Sequence, residues 1–268
     1  MNTPITNLSP FGPIPIVSWL LCTNKCDHLL ERAIESCLRQ TFTEFELIII
    51  VNGASVESIT NKLKNRYAGE HSIRIFSTPI HLLNFSLSFG LHLARGKYIA
   101  RMDSDDVSDP ARLEQQVSFM NLNPKVIILG SAYKLIDESG NYHGLVTPPM
   151  SNSEIRNKLF YKNPLCHPSV MMRTKVVQEL GGYLGGKYAE DFDLWLRVCL
   201  ESNYEFANLD QFLLSYNVSQ SGDARKSRVA YANTASAQLR NFLISGNYKW
   251  ALGAILSFIK SILLAKKK

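Results

Sequence analysis

The N-terminus lacks a basic segment followed by a hydrophobic core, so no export signal is read there and a cytoplasmic location is expected. The five cysteines, Cys22, Cys26, Cys37, Cys166 and Cys199, are odd in number and lie mostly in apolar contexts. They read as buried thiols in a reducing compartment rather than as a disulfide framework. Cys22 and Cys26 are half of a zinc-ligand spacing, and no second pair completes it. Internal repeats and low-complexity tracts are absent. Basic residues are not interleaved with aromatics, which sets nucleic acid below other partners. The chain has 268 residues, 46% of them apolar, and a net charge of +6, with a pI of about 9.0. This length fits one large α/β domain, or one domain with a C-terminal appendage. The positive balance suits a phosphorylated ligand or an anionic membrane surface. Its densest clusters are Arg225-Lys-Ser-Arg228 and Lys266-Lys-Lys268.

Residues 1–13 are rich in Pro, Asn and Ser and read as an extended lead-in. Ile14 to Leu21 is a β-type run, after which Leu29, Leu30, Ala33, Ile34, Cys37 and Leu38 recur at helical spacing. Glu46 to Val51 is a continuous apolar strand of the kind covered on both faces, and it ends in Asn52-Gly53. Val56, Ile59 and Leu63 mark a second helix, Ile73 to Phe76 a short strand, and Leu83, Leu87, Leu91 and Ala94 a third helix. A strand from Tyr98 and a helix carrying Leu113, Val117 and Met120 follow. This alternation predicts an α/β fold, a doubly wound, mostly parallel sheet with helices on both faces. The second half is less regular. Val126–Gly130, Tyr133–Ile136 and Ser169–Arg173 read as strands, with a turn at Glu138-Ser-Gly-Asn141. A helix ends at Gly181-Gly182, and another begins near Glu190 with Leu194, Trp195, Val198 and Cys199 on its apolar side.

The run from Tyr98 to Asp106 delivers Asp103, Asp105 and Asp106 at the C-terminal end of a strand, where open α/β sheets collect ligands. Carboxylates this close repel one another and call for a compensating charge. Mg²⁺ or Mn²⁺ on a diphosphate is an economical one, because it takes one or two protein carboxylates and fills its other positions with phosphate oxygens and water. The three carboxylates are therefore candidate metal ligands; the alternative, acids that complement a helix dipole or sit in a solvated loop, is weaker for Asp103 and Asp105. Asp109 reads as the cap of a helix with Pro110 in its first turn.

A second acidic pair, Glu190-Asp191, opens the later helix after a loop with Gly181, Gly182, Gly185 and Gly186. Those glycines leave the loop free to approach a ligand or move over it. A carboxylate at a helix N-terminus is held ionised by the dipole, which suits a general base, although either acid also serves simply as a cap.

These segments carry a resemblance. A strand followed by Ala33-Ile-Glu-Ser-Cys-Leu-Arg-Gln-Thr-Phe42, then Phe45 to Gly53, Ala94 to Asp106 and Ala189 to Arg197, resembles the family 2 glycosyltransferases in the right order over residues 14 to 217. The resemblance implies a GT-A fold, with a catalytic domain over 1–245 and a C-terminal helix with a lysine end over 246–268. The donor-binding half would span about 14–130 and the acceptor-binding half about 131–220. It implies inverting transfer of a sugar from a nucleoside diphosphate to an acceptor hydroxyl, with a divalent metal (Mn or Mg) as cofactor. Thr23, Asn24 and Asn52 would contact the nucleoside, Asp103 the donor ribose or a metal-bound water, and Asp105 the metal. Asp191 would be the base and Glu190 its partner in orienting the acceptor. His167, in Asn163-Pro-Leu-Cys-His-Pro-Ser169, and Trp195 match the acceptor side; Phe192 is a further aromatic for stacking on a sugar, and core packing is the stronger reading of Trp195.

Three departures qualify this. Many relatives have an acidic pair where this chain has Val51-Asn52; an Asn amide still hydrogen-bonds a pyrimidine edge, so a UDP-hexose remains the expected donor. Leu87 stands where many have an arginine, and Tyr216-Asn-Val-Ser219 lacks the Arg and His often found there. The expected acceptor is a polyprenyl-diphosphate-linked glycan of bacterial surface polysaccharide, O-antigen or capsule. Trp250 to Ala265, apolar but broken by Lys260, is too short to cross a bilayer. Two placements stay open: peripheral contact with the inner face of the cytoplasmic membrane, or packing on the domain or a second subunit. Two other functions compete. A sugar nucleotidyltransferase would need a glycine-rich, basic phosphate loop near the N-terminus, which is missing. A non-catalytic nucleotide-sugar or glycan-binding module would not need both acidic clusters.

Overall fold

In the computed structural model residues 14–218 and 227–265 are described. The lead-in 1–13, Ser219, Arg225, Lys226 and the three terminal lysines therefore lie outside the described residues.

The first half alternates strand and helix as the sequence pattern predicts: β1 (Val17–Thr23), α1 (His28–Leu38), β2 (Phe45–Asn52), α2 (Val56–Arg66), β3 (Ile73–Thr78), α3 (Leu83–Leu93) and β4 (Tyr98–Met102). These four strands pair in parallel in the order β3-β2-β1-β4. Every residue of β1 is buried, and alternate side chains serve two cores. Trp19 and Leu21 pack with Leu30, Ile34 and Leu63 on one face, whereas Leu20 and Cys22 pack with Leu87, Leu91 and Trp195 on the other. Helices on both faces explain why these strands are apolar runs rather than alternating ones.

The second half turns the sheet mixed. After the two-residue β5 (Val107–Ser108) and α4 (Arg112–Leu122) come β6 (Val126–Ile136), β7 (Tyr142–Val146), α5 (Asn152–Leu159), β8 (Met171–Arg173), α6 (Thr174–Glu179), α7 (Glu190–Leu200) and β9 (Glu205–Asn217). β8 joins antiparallel between β4 and β6, and β9 continues parallel to β6. Val126–Gly130 and Tyr133–Ile136 are one strand, whose pairing with β9 shifts register around Ala132. Asp109 does not cap α4: its carboxylate accepts from the Ala111 amide at 3.0 Å in a turn before the helix, and the N-cap is Ala111.

Two long helices close the described chain, α8 (Arg228–Ser245) and α9 (Tyr248–Ala265). Trp250, Ala254, Ser257 and Ser261 fall on one face of α9 and are buried. Trp250 lies 4.2 Å from Phe160 between ring centroids, and the Ser257 hydroxyl donates to Gln238 at 2.8 Å. Packing on the protein thus accounts for the inner face of α9. Its outer face remains apolar and exposed at Leu252, Ile255, Leu256, Phe258, Ile259, Ile262 and Leu263. Among the described residues no helix is long and apolar enough to cross a membrane.

Candidate active site

Parallel pairing places the ends of β1, β2 and β4 side by side, with Thr23 opposite Val51 and Leu21 opposite Met102. Thr23, Asn24, Asn52 and Asp103 therefore emerge at one edge of the sheet, as open α/β folds require of a binding site. The acidic loop after β4 has a built-in counter-ion that the sequence pattern does not reveal. Arg101 is buried beneath the loop and its guanidinium pairs with the Asp103 carboxylate. Arg112, also buried, donates to the Arg101 carbonyl at 2.9 Å and fixes the strand end from below. Arg32 donates to the Asp105 carbonyl at 3.4 Å.

Asp106 is 1% exposed, and one of its carboxylate oxygens accepts the Asn217 backbone N–H at 2.8 Å, tying the loop to β9. Burial first, then the charges of Asp103 and Asp105, push its pKa well above the usual carboxylate range. The candidate ligand Asp106 thus also ties the acidic loop to the sheet. Among the described residues no group of three or more His, Cys, Asp or Glu is set to hold a metal alone. Two carboxylates fit a Mg²⁺ or Mn²⁺ whose other ligands come from a diphosphate and water.

A cavity of about 380 Å³ is lined by Thr23, Asn24, Asn52 and Asp103, all expected around a donor, together with Ser104 and Glu190, which was expected on the acceptor side. Asp105 is half-buried in the same loop and is not among the described residues of this wall. An Asn52 amide N–H is held by Ser86 at 2.8 Å, leaving its carbonyl oxygen to accept from a base edge. Asn24 lies 2.9 Å from the His81 ring nitrogen. Thr23 hydrogen-bonds Lys25 at its own loop. Sequence reasoning missed His81, Asn84, Lys187 and Tyr188, which complete the wall from the start of α3 and the loop before α7. Leu87 is buried in the core, so that helix position offers no charge to a diphosphate; Lys187 is the lysine or arginine this wall contains among the described residues.

A second cavity, of about 420 Å³, contains Asp191, His167 and Asn163. Glu190 and Tyr188 belong to both walls. Asp191 accepts from the Asn163 amide and from the Phe192 backbone N–H, each at 2.7 Å, which fixes its carboxylate at the start of α7. The N-cap itself is Ala189, and Asp191 satisfies a first-turn backbone N–H from within the helix. Glu190 is 7% exposed. Burial pushes its carboxyl up to about 7, and the neighbouring Asp191 charge adds to the shift. Tyr188 adopts a left-handed backbone with φ of 67°, a conformation that L side chains rarely take and that recurs at functional sites. Gly185 is needed for packing more than for motion: a Cβ there would lie 2.7 Å from the Ala189 carbonyl and the Asp193 Cβ.

His167 lines the second cavity and its ring nitrogen is 3.0 Å from the Tyr183 hydroxyl. Trp195 is completely buried and stands edge-on to His167, with ring centroids 6.0 Å apart. Five tyrosines line this cavity instead: Tyr133, Tyr161, Tyr188, Tyr216 and Tyr231. Phe192 also lines it, though almost wholly buried.

Residues 18–181 match the sequence model of "Glycosyl transferase family 2". The chain belongs to that family. It is 34% identical over 251 residues to the O-antigen biosynthesis glycosyltransferase WbnJ of Escherichia coli, covering 93% of this chain and 98% of that one. It is also 28% identical over 205 residues to a second E. coli protein, UDP-Gal:alpha-D-GlcNAc-diphosphoundecaprenol beta-1,3-galactosyltransferase, covering 76% and 74% of the two chains. Among solved structures, S. aureus TarS 1-349 in complex with UDP-GlcNAc superposes with a TM-score of 0.67 at 14% identity, over 85% of this chain and 65% of that one. That likeness establishes the GT-A type of fold. The glycosyltransferase therefore holds Asp103 in one cavity and Asp191 in a second, with Glu190 where the two walls meet.

Proposed function

We propose that this glycosyltransferase moves a hexose or N-acetylhexosamine from a UDP-sugar to an acceptor sugar hydroxyl with inversion, on a polyprenyl-diphosphate-linked glycan of O-antigen or capsule. The observation that carries the reading is the meeting of two cavities at Glu190 and Tyr188, one with the nucleoside-side residues and one with Asp191. Donor and acceptor would enter from the two sides and react at the shared wall. The names of the two E. coli relatives, which specify O-antigen biosynthesis and a UDP-Gal donor with a diphosphoundecaprenol acceptor, support the substrate classes.

Asn52 and Asn24 would bind the uridine, and Asp103 with Asp105 would hold the divalent metal. That ion, when bound, stabilises charge on the departing diphosphate as a Lewis acid. Lys187 would add a protein cation beside it. Asp191, oriented by Asn163, takes the proton from the acceptor hydroxyl as its oxygen attacks the anomeric carbon from the face opposite the diphosphate; the new C–O bond forms as the bond to UDP breaks. Glu190, whose burial favours the protonated form, would donate a hydrogen bond to either substrate. His167, its ring set by the Tyr183 hydroxyl, would position the acceptor.

The exposed side of α9 would place the enzyme on the inner face of the cytoplasmic membrane. Residues 224–268 contain nine Lys or Arg and no Asp or Glu, a charge that complements anionic lipid beside the apolar face. Screening radiolabelled UDP-sugars with Mn²⁺ against sugar-diphosphate-polyprenol acceptors tests the reading. Transfer from a subset of donors, with UDP as the released nucleotide, is expected. Absence of any affinity for UDP with Mn²⁺ would overturn it.

A further inference from the structure

The acceptor cavity has a wall that the transfer chemistry does not use. Besides the acids at the start of α7, α9 contributes Ser257 and Lys260 to this cavity, and the segment after α5 contributes Lys162. Glu190 and Asp191 are the acidic members of this cavity among the described residues, and both belong to α7. Lys162 directly precedes Asn163, whose amide holds Asp191 at 2.7 Å. Lys260 is set by α9 itself: the next residue, Ser261, donates to the Arg228 carbonyl at 3.0 Å, and the Lys260 ammonium stands 5.6 Å from the Tyr231 ring centroid. Lys260 also marks a boundary, because its neighbours Ile259 and Ile262 are exposed on the outer face of the helix while Ser257 faces the cavity.

We infer that Lys162 and Lys260 form a subsite for the diphosphate of the acceptor lipid, with the sugar directed toward Asp191 and the lipid chain leaving over the apolar face of α9. This rests on the lipid-diphosphate reading above and adds a location for the anion. Two ammonium groups suit a diphosphate, which presents oxygens in several directions and needs no planar fork. An anion held at the edge of an apolar helix face keeps its charge in the polar cavity while its hydrocarbon stays with other apolar surface. It also limits the acceptor to one whose diphosphate lies within a single cavity of about 420 Å³ from the reacting hydroxyl, hence to a short glycan.

Octyl diphosphate, titrated calorimetrically into full-length enzyme already saturated with UDP and Mn²⁺, isolates this subsite from the donor cavity. Wild type is expected to bind it; Lys260→Ala and Lys162→Ala should each weaken binding about tenfold, the scale of one charge-assisted contact. Lys260→Arg should restore most of the loss, and octyl glucoside should show no dependence on either lysine. Both side chains are exposed, so neither substitution strikes the core. No binding in wild type, equal affinity in the double alanine variant, or an effect confined to phosphatidylglycerol vesicles would overturn the assignment. Failure of UDP to bind in the first step would instead overturn the underlying functional reading.

Discussion

Arg101 and Asp103 form an ion pair across the floor of the acidic loop, with the guanidinium 1% exposed and the carboxylate 20% exposed. A cation fixed beneath the loop lowers the repulsion among its three acids. Arg101→Met should therefore cost about 1–3 kcal/mol of stability, less than breaking a fully buried pair because Asp103 keeps some solvent. Urea denaturation reads the loss. Adding Asp103→Asn to that variant should recover stability without recovering affinity for UDP and Mn²⁺.

Asp105→Ala should abolish the part of UDP affinity that depends on Mn²⁺, because Asp103 alone is left to hold the ion. Asp106→Asn should leave that dependence in place, since the Asp106 side chain is buried and holds the Asn217 backbone N–H. Calorimetry with and without Mn²⁺ separates the two. Metal-dependent binding lost in Asp106→Asn and retained in Asp105→Ala would reverse the roles assigned to them.

Glu190 gives the enzyme a pH signature. Its folded pKa of about 7 lies above the ordinary glutamate value of 4.5. The native state therefore binds more protons than the unfolded state between those two values, and the group's contribution is full below the lower one and lost as pH rises through about 7. Glu190→Gln cannot titrate. The stability difference between Glu190→Gln and wild type should change across pH 4.5 to 7 in favour of the variant as pH rises. Parallel unfolding curves at every pH would show that Glu190 titrates normally.

The strands and helices of the first half were legible because buried parallel strands and amphipathic helices write their periods directly into the chain. The acidic loop and Glu190-Asp191 were legible for a similar reason, since each sits at a recognisable junction of strand or helix. The inward turn of Asp106 was not, because its partner Asn217 is 111 residues away. Arg101 looked like one more residue of a strand, and only the structure shows it under Asp103. Trp195 follows the helical pattern that the core reading assumed, and it is completely buried. The inner face of α9 had a visible signal that went unread: Trp250, Ala254, Ser257 and Ser261 repeat at helical spacing with small side chains that admit close packing.

That inner face alters what the tail can be asked to do. Trp250→Ala should destabilise the enzyme by about 3–5 kcal/mol, as removal of a buried large aromatic generally does. Polar changes on the outer face, Ile255→Gln, Ile259→Gln and Ile262→Gln together, should preserve folding. They should weaken co-sedimentation with phosphatidylglycerol vesicles, and salt should weaken it further for wild type. Vesicle binding unchanged by the triple variant would remove α9 from the membrane contact.

Single-turnover transfer at saturating UDP-sugar, compared between wild type and Asp191→Asn, tests the central claim most directly. Asparagine keeps the shape of the side chain and removes its capacity to take a proton. Turnover should fall by about 10²–10⁴-fold, the range for a positioned general base, while UDP affinity and the unfolding transition stay near wild type. Donor affinity that collapses while saturated transfer proceeds at the wild-type rate would make Asp191 a binding residue and place the base elsewhere.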